Sequence, residues 1–370
     1  MPGTFGLIRL LLLIGLFVSL KAAALGAEAP EHSSFLYDVF AAAHPCADLE
    51  RQFPSLLLHR TVILSVDQGT EFVLDRPDGG RELACVILFL HNHGRSIKAM
   101  TLQDPSFLSN QQEAVRRVRA LSSFAAANPE MVSSIVVDVE PYTHARWDCG
   151  DHNVRSGLLD QFRELLRAVK GVSGLYVDAI VPWWFAVQTT FPSVRLARLQ
   201  DIVDGIYLMV YGDPGGPVVN GTTESVLNRL PPTMFGSLRD PVYLAIATYE
   251  LTSPAAEREE SERLLSAYRT QLAFGGIAVF RAGGEYNAPR QLLLSGTVVG
   301  ASGQPLIGAQ IAFGGVTVLS NECGQFLLRA PAGNHGSLVV RMRNAKRQLT
   351  PKLRSAGQIT EVGEVNLKVH

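Results

Sequence analysis

The chain of 370 residues is too long for one ordinary compact domain, although a barrel of about 250 residues forms one, so one large and one small domain are expected. Its 33 Lys plus Arg against 34 Asp plus Glu leave it nearly neutral, and no long run of either sign draws it to nucleic acid or an anionic membrane. Nucleic acid is therefore excluded as an expected partner.

The N-terminus carries Arg9, the uncharged run Leu10 to Leu20, then Lys21 and the small-residue stretch Ala22 to Ala27. That order predicts a signal peptide over residues 1–27, with cleavage after Ala24 or Ala27. The apolar core is short for a bilayer, so the expectation is a secreted or periplasmic mature chain with no membrane span after signal cleavage. Four cysteines follow, Cys46, Cys85, Cys149 and Cys323, without metal-ligand spacing. Cys85 reads as a small core residue of an apolar helix, and the expected bridge is Cys46 to Cys149.

In chain order, Ser34 to Phe40 reads as a strand and Cys46 to Leu58 as a helix. The strand Thr61 to Val66 closes on Asp67-Gln68-Gly69. A helix over Arg81 to His93 is capped by Gly94, and a strand over Ile97 to Leu102 leads to a helix over Gln111 to Asn128. The stretch Ser133 to Tyr142 is an apolar strand ending in two carboxylates, Asp138 and Glu140. A strand repeats every two residues, so both acids point to one side and Val137 and Val139 to the other. Two unpaired carboxylates at a strand end are costly unless partnered, solvated or used in chemistry. A loop cap for Asp138 and a surface ion pair for Glu140 is the plain reading. General acid catalysis of glycoside cleavage is the functional one, because it needs one carboxyl protonated beside another that is charged.

A polar loop, Thr143 to Gly157, precedes a helix over Leu158 to Lys170. The strand Leu175 to Val181 is followed by Trp183-Trp184, a helix over Ser193 to Val203, and the strand Gly205 to Tyr211. Thr223 to Leu230 is a weak helix. The strand Pro241 to Thr248, a helix over Ala255 to Phe274 and the strand Gly276 to Phe280 complete the set. Eight strand-like segments alternating with helices fit an α/β fold, a (β/α)8 TIM barrel over residues 28–290. An open doubly wound sheet is the alternative, but no glycine-rich phosphate loop follows a strand, and no cofactor or metal is expected.

Catalytic groups of such a barrel sit where its strands end. Reading those ends gives Asp38, Asp67, Gln103 with Asp104, Asp138 with Glu140 and Tyr142, Trp183 with Trp184, Tyr211 with Asp213, Tyr249 with Glu250, and Phe280 with Arg281. An acidic, aromatic rim suits a glycan or polysaccharide, because rings stack on sugar faces while carboxylates bond hydroxyls. Trp183 and Trp184 read equally well as core.

The strand VVDVEPY is similar to the catalytic strand of the chitinase-like glycoside hydrolases of family 18, whose motif is D-x-x-D-x-D-x-E. Asp138 falls on its last aspartate and Glu140 on its glutamate, with Ser133 and Val136 in place of the earlier two. LMVYG resembles that family's M-x-Y-D, with Tyr211 matching, Gly212 where the aspartate is expected and Asp213 one place on. GGIAVF resembles the family's last strand, with Phe280 near its tryptophan. The resemblance implies a divergent hydrolase of an N-acetylhexosamine-containing or related glycan. Glu140 would be the general acid, and Asp138 would orient the acetamido group that acts as nucleophile. Tyr211 would hold that group. The missing carboxylate at Val136 also admits a barrel that binds glycans without cleaving them, and a third reading is a cell-surface scaffold or adhesin whose β domain carries the function.

Residues 291–370 lose helical periodicity and become short strands punctuated by Gly303, Gly308, Gly324 and Gly333. They resemble the carboxypeptidase regulatory-like domains, a transthyretin-like β-sandwich, which implies a spacer or a module for docking to the cell envelope.

Overall fold

The computed structural model describes residues 30–41, 46, 49, 59–68, 71–129, 131–147, 150–187, 190–211, 226–228, 230, 234–248, 251–280, 292–331, 333–354 and 359–368. The proposed signal peptide, the Thr143–Gly157 loop's Cys149 and most of the helices read over Cys46–Leu58 and Thr223–Leu230 lie outside them.

Eight parallel strands close into a barrel: β1 (Glu31–Leu36), β2 (Thr61–Ser65), β3 (Ser96–Thr101), β4 (Ser134–Val137), β5 (Tyr176–Pro182), β6 (Gly205–Met209), β7 (Val242–Ala247) and β8 (Phe274–Phe280). Each pairs with its neighbours in sequence, and β8 returns to β1 with Glu31 opposite Gly276. Gly276 has φ 139°, and a Cβ there would lie 1.9 Å from the Glu31 carbonyl oxygen. Only glycine lets the last strand approach the first this closely, so the seam depends on it.

Alternation sorts the side chains. Phe35, Ile63, Met100, Val136, Ile180 and Tyr207 point inward and fill the barrel, while Val62, Ala99, Ile135, Val137 and Val177 point outward into the layer under the helices. The helices are α1 (Gly79–Asn92), α2 (Gln111–Ala127), α3 (His152–Val172) and α4 (Pro254–Tyr268), with shorter turns between. α3 buries Leu158, Leu159, Phe162, Leu165, Leu166 and Val169, a stripe at helical spacing. It starts earlier than the sequence predicts because Asp151 caps it, its Oδ1 accepting the Val154 N–H at 3.0 Å.

The bottom of the barrel is closed by charge. Lys98 Nζ lies 3.2 Å from Asp178 Oδ2 and 3.5 Å from Glu31 Oε2, over the rings of Tyr243 and Tyr207. Ser134 Oγ donates to Asp178 at 3.0 Å. Burial acts to lower the Lys98 pKa, but Asp178 and Glu31 outweigh it and hold the ammonium above the ordinary lysine range.

Three expectations are corrected. Cys46 pairs with Cys85, across a sequence separation of 39, rather than with Cys149. The buried face of α1 is Leu83, Val86, Ile87 and Leu90, which leaves Cys85 on the outer side, where it meets Cys46. The first strand ends at Leu36 rather than Phe40, because Asp38 turns the chain with φ 59°. The helix read as far as Phe274 ends at Tyr268, and Phe274 opens β8.

Beyond the barrel, the described residues between 292 and 368 form two sheets. β9 (Leu292–Val299) lies between β12 (Gln325–Ala330) and β15 (Ile359–Asn366). The other sheet runs β11 (Val316–Leu319), β10 (Gln310–Phe313), β13 (Leu338–Met342), β14 (Ala345–Leu349). Leu294, Val298, Ile311, Phe313, Leu328 and Val340 form a core of their own between them.

Candidate active site

β4 carries an inward column of Ser134, Val136, Asp138 and Glu140, so the two carboxylates emerge at the C-terminal mouth directly above the apolar filling. Both are half-buried. Burial pushes the Asp138 carboxyl well above the usual carboxylate range, and the neighbouring Glu140 charge pushes it further. Hydrogen bonds from Gln103 and Tyr37 pull the other way. Burial and the Glu140 charge thus favour the protonated form of Asp138.

Their partners come from several strands. Gln103, just past β3, donates through Nε2 to Asp138 Oδ2 at 3.3 Å. Tyr37, just past β1, donates its hydroxyl to Asp138, and its own pKa is raised by burial and by both carboxylates. The Tyr142 hydroxyl donates to Glu140 Oε1. Tyr142 is likewise pushed up, by burial first and then by Glu140. Each carboxyl thus carries a dedicated phenol.

An aromatic wall stands beside the pair. Phe280 stacks on Tyr211 with ring centroids 5.5 Å apart and meets Tyr37 edge-on at 5.2 Å. On the other flank Tyr142 meets Trp184 at 6.1 Å, and Trp184 meets Trp147 at 5.8 Å. This arrangement places ring faces and edges next to acids, so it can stack on flat apolar surfaces and bond hydroxyls at the same time.

The structure therefore brings together Asp138, Glu140, Tyr142, Tyr211 and Phe280 from the residues the sequence singles out. Asp38 is exposed at the rim, where Gln68 Nε2 donates to its Oδ1 at 3.3 Å. Trp184 stands on the flank, but Trp183 is only 8% exposed and packs in the layer under the helices, so of the two readings left open it takes the core one. Asp67 is also buried, at 5% exposure. Its carboxylate is committed to Thr101, Leu102 and Arg117, so it does not face the mouth as a sugar ligand. Asp213, Tyr249, Glu250 and Arg281 lie outside the described residues. Tyr37 and Ser65, whose hydroxyl donates to Gln103 Oε1 at 2.7 Å, are not among the residues the sequence singles out. Continuing the inward parity of Phe35 by one step to Tyr37, instead of to the acid beside it, finds the first. Among the described residues no group of three or more His, Cys, Asp or Glu side chains could hold a metal ion.

No protein-family model matches the sequence, and no curated protein matches it. Solved structures resemble it in shape. A glycoside hydrolase family 18 chitinase from Pseudoalteromonas aurantia is 13% identical over 70% of this chain and 96% of its own, with TM-score 0.44. A modular endo-β-1,4-mannanase of family 26 from Cellulomonas fimi is 11% identical over 90% and 94%, with TM-score 0.45. A family 30 endoxylanase from Clostridium papyrosolvens is 9% identical over 82% and 94%, with TM-score 0.43.

Proposed function

We propose that the barrel is a glycoside hydrolase acting on an N-acetylhexosamine-containing or related glycan, with Glu140 as general acid and Asp138 as its partner. The observation that carries the reading is the carboxyl pair at the mouth, in which Asp138 is pushed up by burial and by Glu140 while each carboxyl is held by a tyrosine. Such a pair stores a proton beside a ring-lined surface. Glu140, further along the column than Asp138, gives a proton to the glycosidic oxygen as the bond to the anomeric carbon breaks. The substrate's acetamido oxygen forms the new bond to that carbon, oriented by Asp138 and Tyr211. Water then opens the resulting ring and returns a proton to Glu140, which restores the enzyme. Tyr211 and Phe280 offer the stacking surface, and Trp184 extends it.

Export to a secreted or periplasmic location belongs to the same proposal. The Cys46–Cys85 disulfide supports it, since such bonds persist in oxidising compartments. Cell-envelope docking by the β-sandwich is part of the same proposal, and its own core, separate from the barrel's filling, supports its acting as an independent module. Val136 favours a second reading, a barrel that binds glycans without turnover, because an apolar side chain stands below Asp138 where a third carboxyl would share its proton.

Glu140→Gln keeps shape and hydrogen bonding but removes the transferable proton. On a panel of glycans, binding is expected to survive while turnover falls about 100-fold or more. Equal turnover by wild type and Glu140→Gln would remove Glu140 from the role of acid. Binding without any turnover by the wild type moves the conclusion to the second reading.

A further inference from the structure

Behind the carboxyl pair lies a buried ion pair that the proposed chemistry does not use. Arg117 of α2 reaches Asp67, at the end of β2, with Nη1 3.2 Å from Oδ1. Its guanidinium sits between the rings of Phe72, at 5.2 Å, and Phe107, at 4.9 Å, and its Nε donates to Glu113 at 2.9 Å. Clamped in this way, Asp67 turns its oxygens on the end of β3. It accepts the Leu102 N–H at 2.6 Å, the Thr101 hydroxyl at 3.1 Å and the Gln103 N–H.

Leu102 is fully buried and has φ 64°. That is the left-handed region, which a bulky side chain takes only when its surroundings impose it. The carboxylate of Asp67 supplies the constraint, by drawing the two successive N–H groups to one point. The reversed turn then presents Gln103, whose Oε1 lies 2.7 Å from Ser65 Oγ and whose Nε2 lies 3.3 Å from Asp138 Oδ2. With Oε1 facing the hydroxyl, the amide is oriented so that its NH2 group meets the acid.

We propose that Asp67, clamped by Arg117, is a positioning residue for the Asp138 and Glu140 pair: by holding Leu102 in the left-handed turn it aims the Gln103 carboxamide at Asp138. The inference rests on the reading of that pair as the reacting acids. It goes beyond that reading by giving a role to two side chains that touch neither the mouth nor a substrate. Asp138 is faced by Tyr37 from β1, by Gln103 from β3, by Asp67 from β2 and by Glu140 along its own strand. A purely structural pair would tie α2 to the barrel and leave Asp138 untouched.

The test uses the full chain and reads the titration of the Asp138 carboxyl carbon by NMR, assigned by its loss in Asp138→Asn. Asp67→Asn removes a negative charge near Asp138, which by itself lowers the Asp138 pKa. Loss of the Gln103 hydrogen bond raises it, and this is the larger influence. The expected result is a rise, matched in direction by Gln103→Leu, and a fall or no change overturns the inference. Arg117→Lys keeps the buried cation but loosens Asp67, so it gives the same sign where Asp67→Asn does not fold, and a fall or no change there overturns the inference equally.

Adding Leu102→Gly to Asp67→Asn supplies a rescue, because glycine takes the left-handed turn without help. The Asp138 titration is expected to return toward wild type even though the melting temperature drops further. If it does not return, the turn is not the link. If wild type cleaves a glycoside, Asp67→Asn should lower kcat about 10-fold with KM nearly unchanged. If wild type cleaves none, the hydrolase reading falls, and the titration still decides the positioning role.

Discussion

Lys98→Met tests the charged floor of the barrel. The ammonium lies 3.2 Å from Asp178 and 3.5 Å from Glu31. At an effective dielectric near 20 each contact is worth about 5 kcal/mol before desolvation, which takes back several kcal/mol per ion. The net value of the cluster is therefore small, but removing its cation is not. Met fills the volume and strands two carboxylates, and breaking a buried pair in this way costs about 3–5 kcal/mol. For a barrel of this size that is a fall in Tm of roughly 10 °C. Circular dichroism melts at pH 7 read it directly. The wild-type contribution is fully present below the pKa of an unfolded lysine, about 10.4, and is lost as pH rises through the higher folded value. The gap to wild type should therefore hold steady across the neutral range. Lys98→Met with Asp178→Asn should recover more than half of the loss. A single variant that melts within 2 °C of wild type, or a double variant worse than the sum of its parts, refutes the argument.

Two further outcomes follow from other sites. The raised Asp138 pKa means that the folded chain holds this proton more tightly than the unfolded one, so its stabilising effect is present below the unfolded pKa and lost as pH rises through the folded one. Asp138→Asn should therefore melt higher than wild type at pH 8 but not at pH 4, and an equal gain at both pH values would contradict the assignment. Cys85→Ser opens a loop with a sequence separation of 39. The chain-entropy model assigns its closure roughly 4 kcal/mol, so the oxidised wild type should melt well above the variant, and reductant should remove the difference.

The barrel was legible because buried parallel strands leave apolar runs of strand length, and all eight fall where those runs lie. The acids were legible for the same reason, since strand parity alone places Asp138 and Glu140 on the inner column with Val136. What the sequence hid was where strands stop. The first run continues apolar through Val39 and Phe40, yet Asp38 turns the chain, so the inward residue at the rim is Tyr37 rather than the aspartate. Asp67 misled differently. A carboxylate at a strand end looks the same whether it faces a mouth or an arginine fifty residues away, and only the fold brings Arg117 to it. Cys85 misled through its apolar helical neighbours, whose buried stripe passes beside it.

The last barrel strand ends at Phe280, against Tyr211 and Tyr37, and the first strand of the sandwich begins at Leu292. The covalent path to the second domain thus departs from the rim that holds the acids, not from the charged floor. Twelve residue steps, 292 minus 280, span at most about 43 Å when fully drawn out. If the sandwich docks as proposed, that limit keeps the mouth within reach of the docked surface, and a polymer bound by both modules would meet the second at a local concentration set by the length of the connection and not by its abundance in bulk.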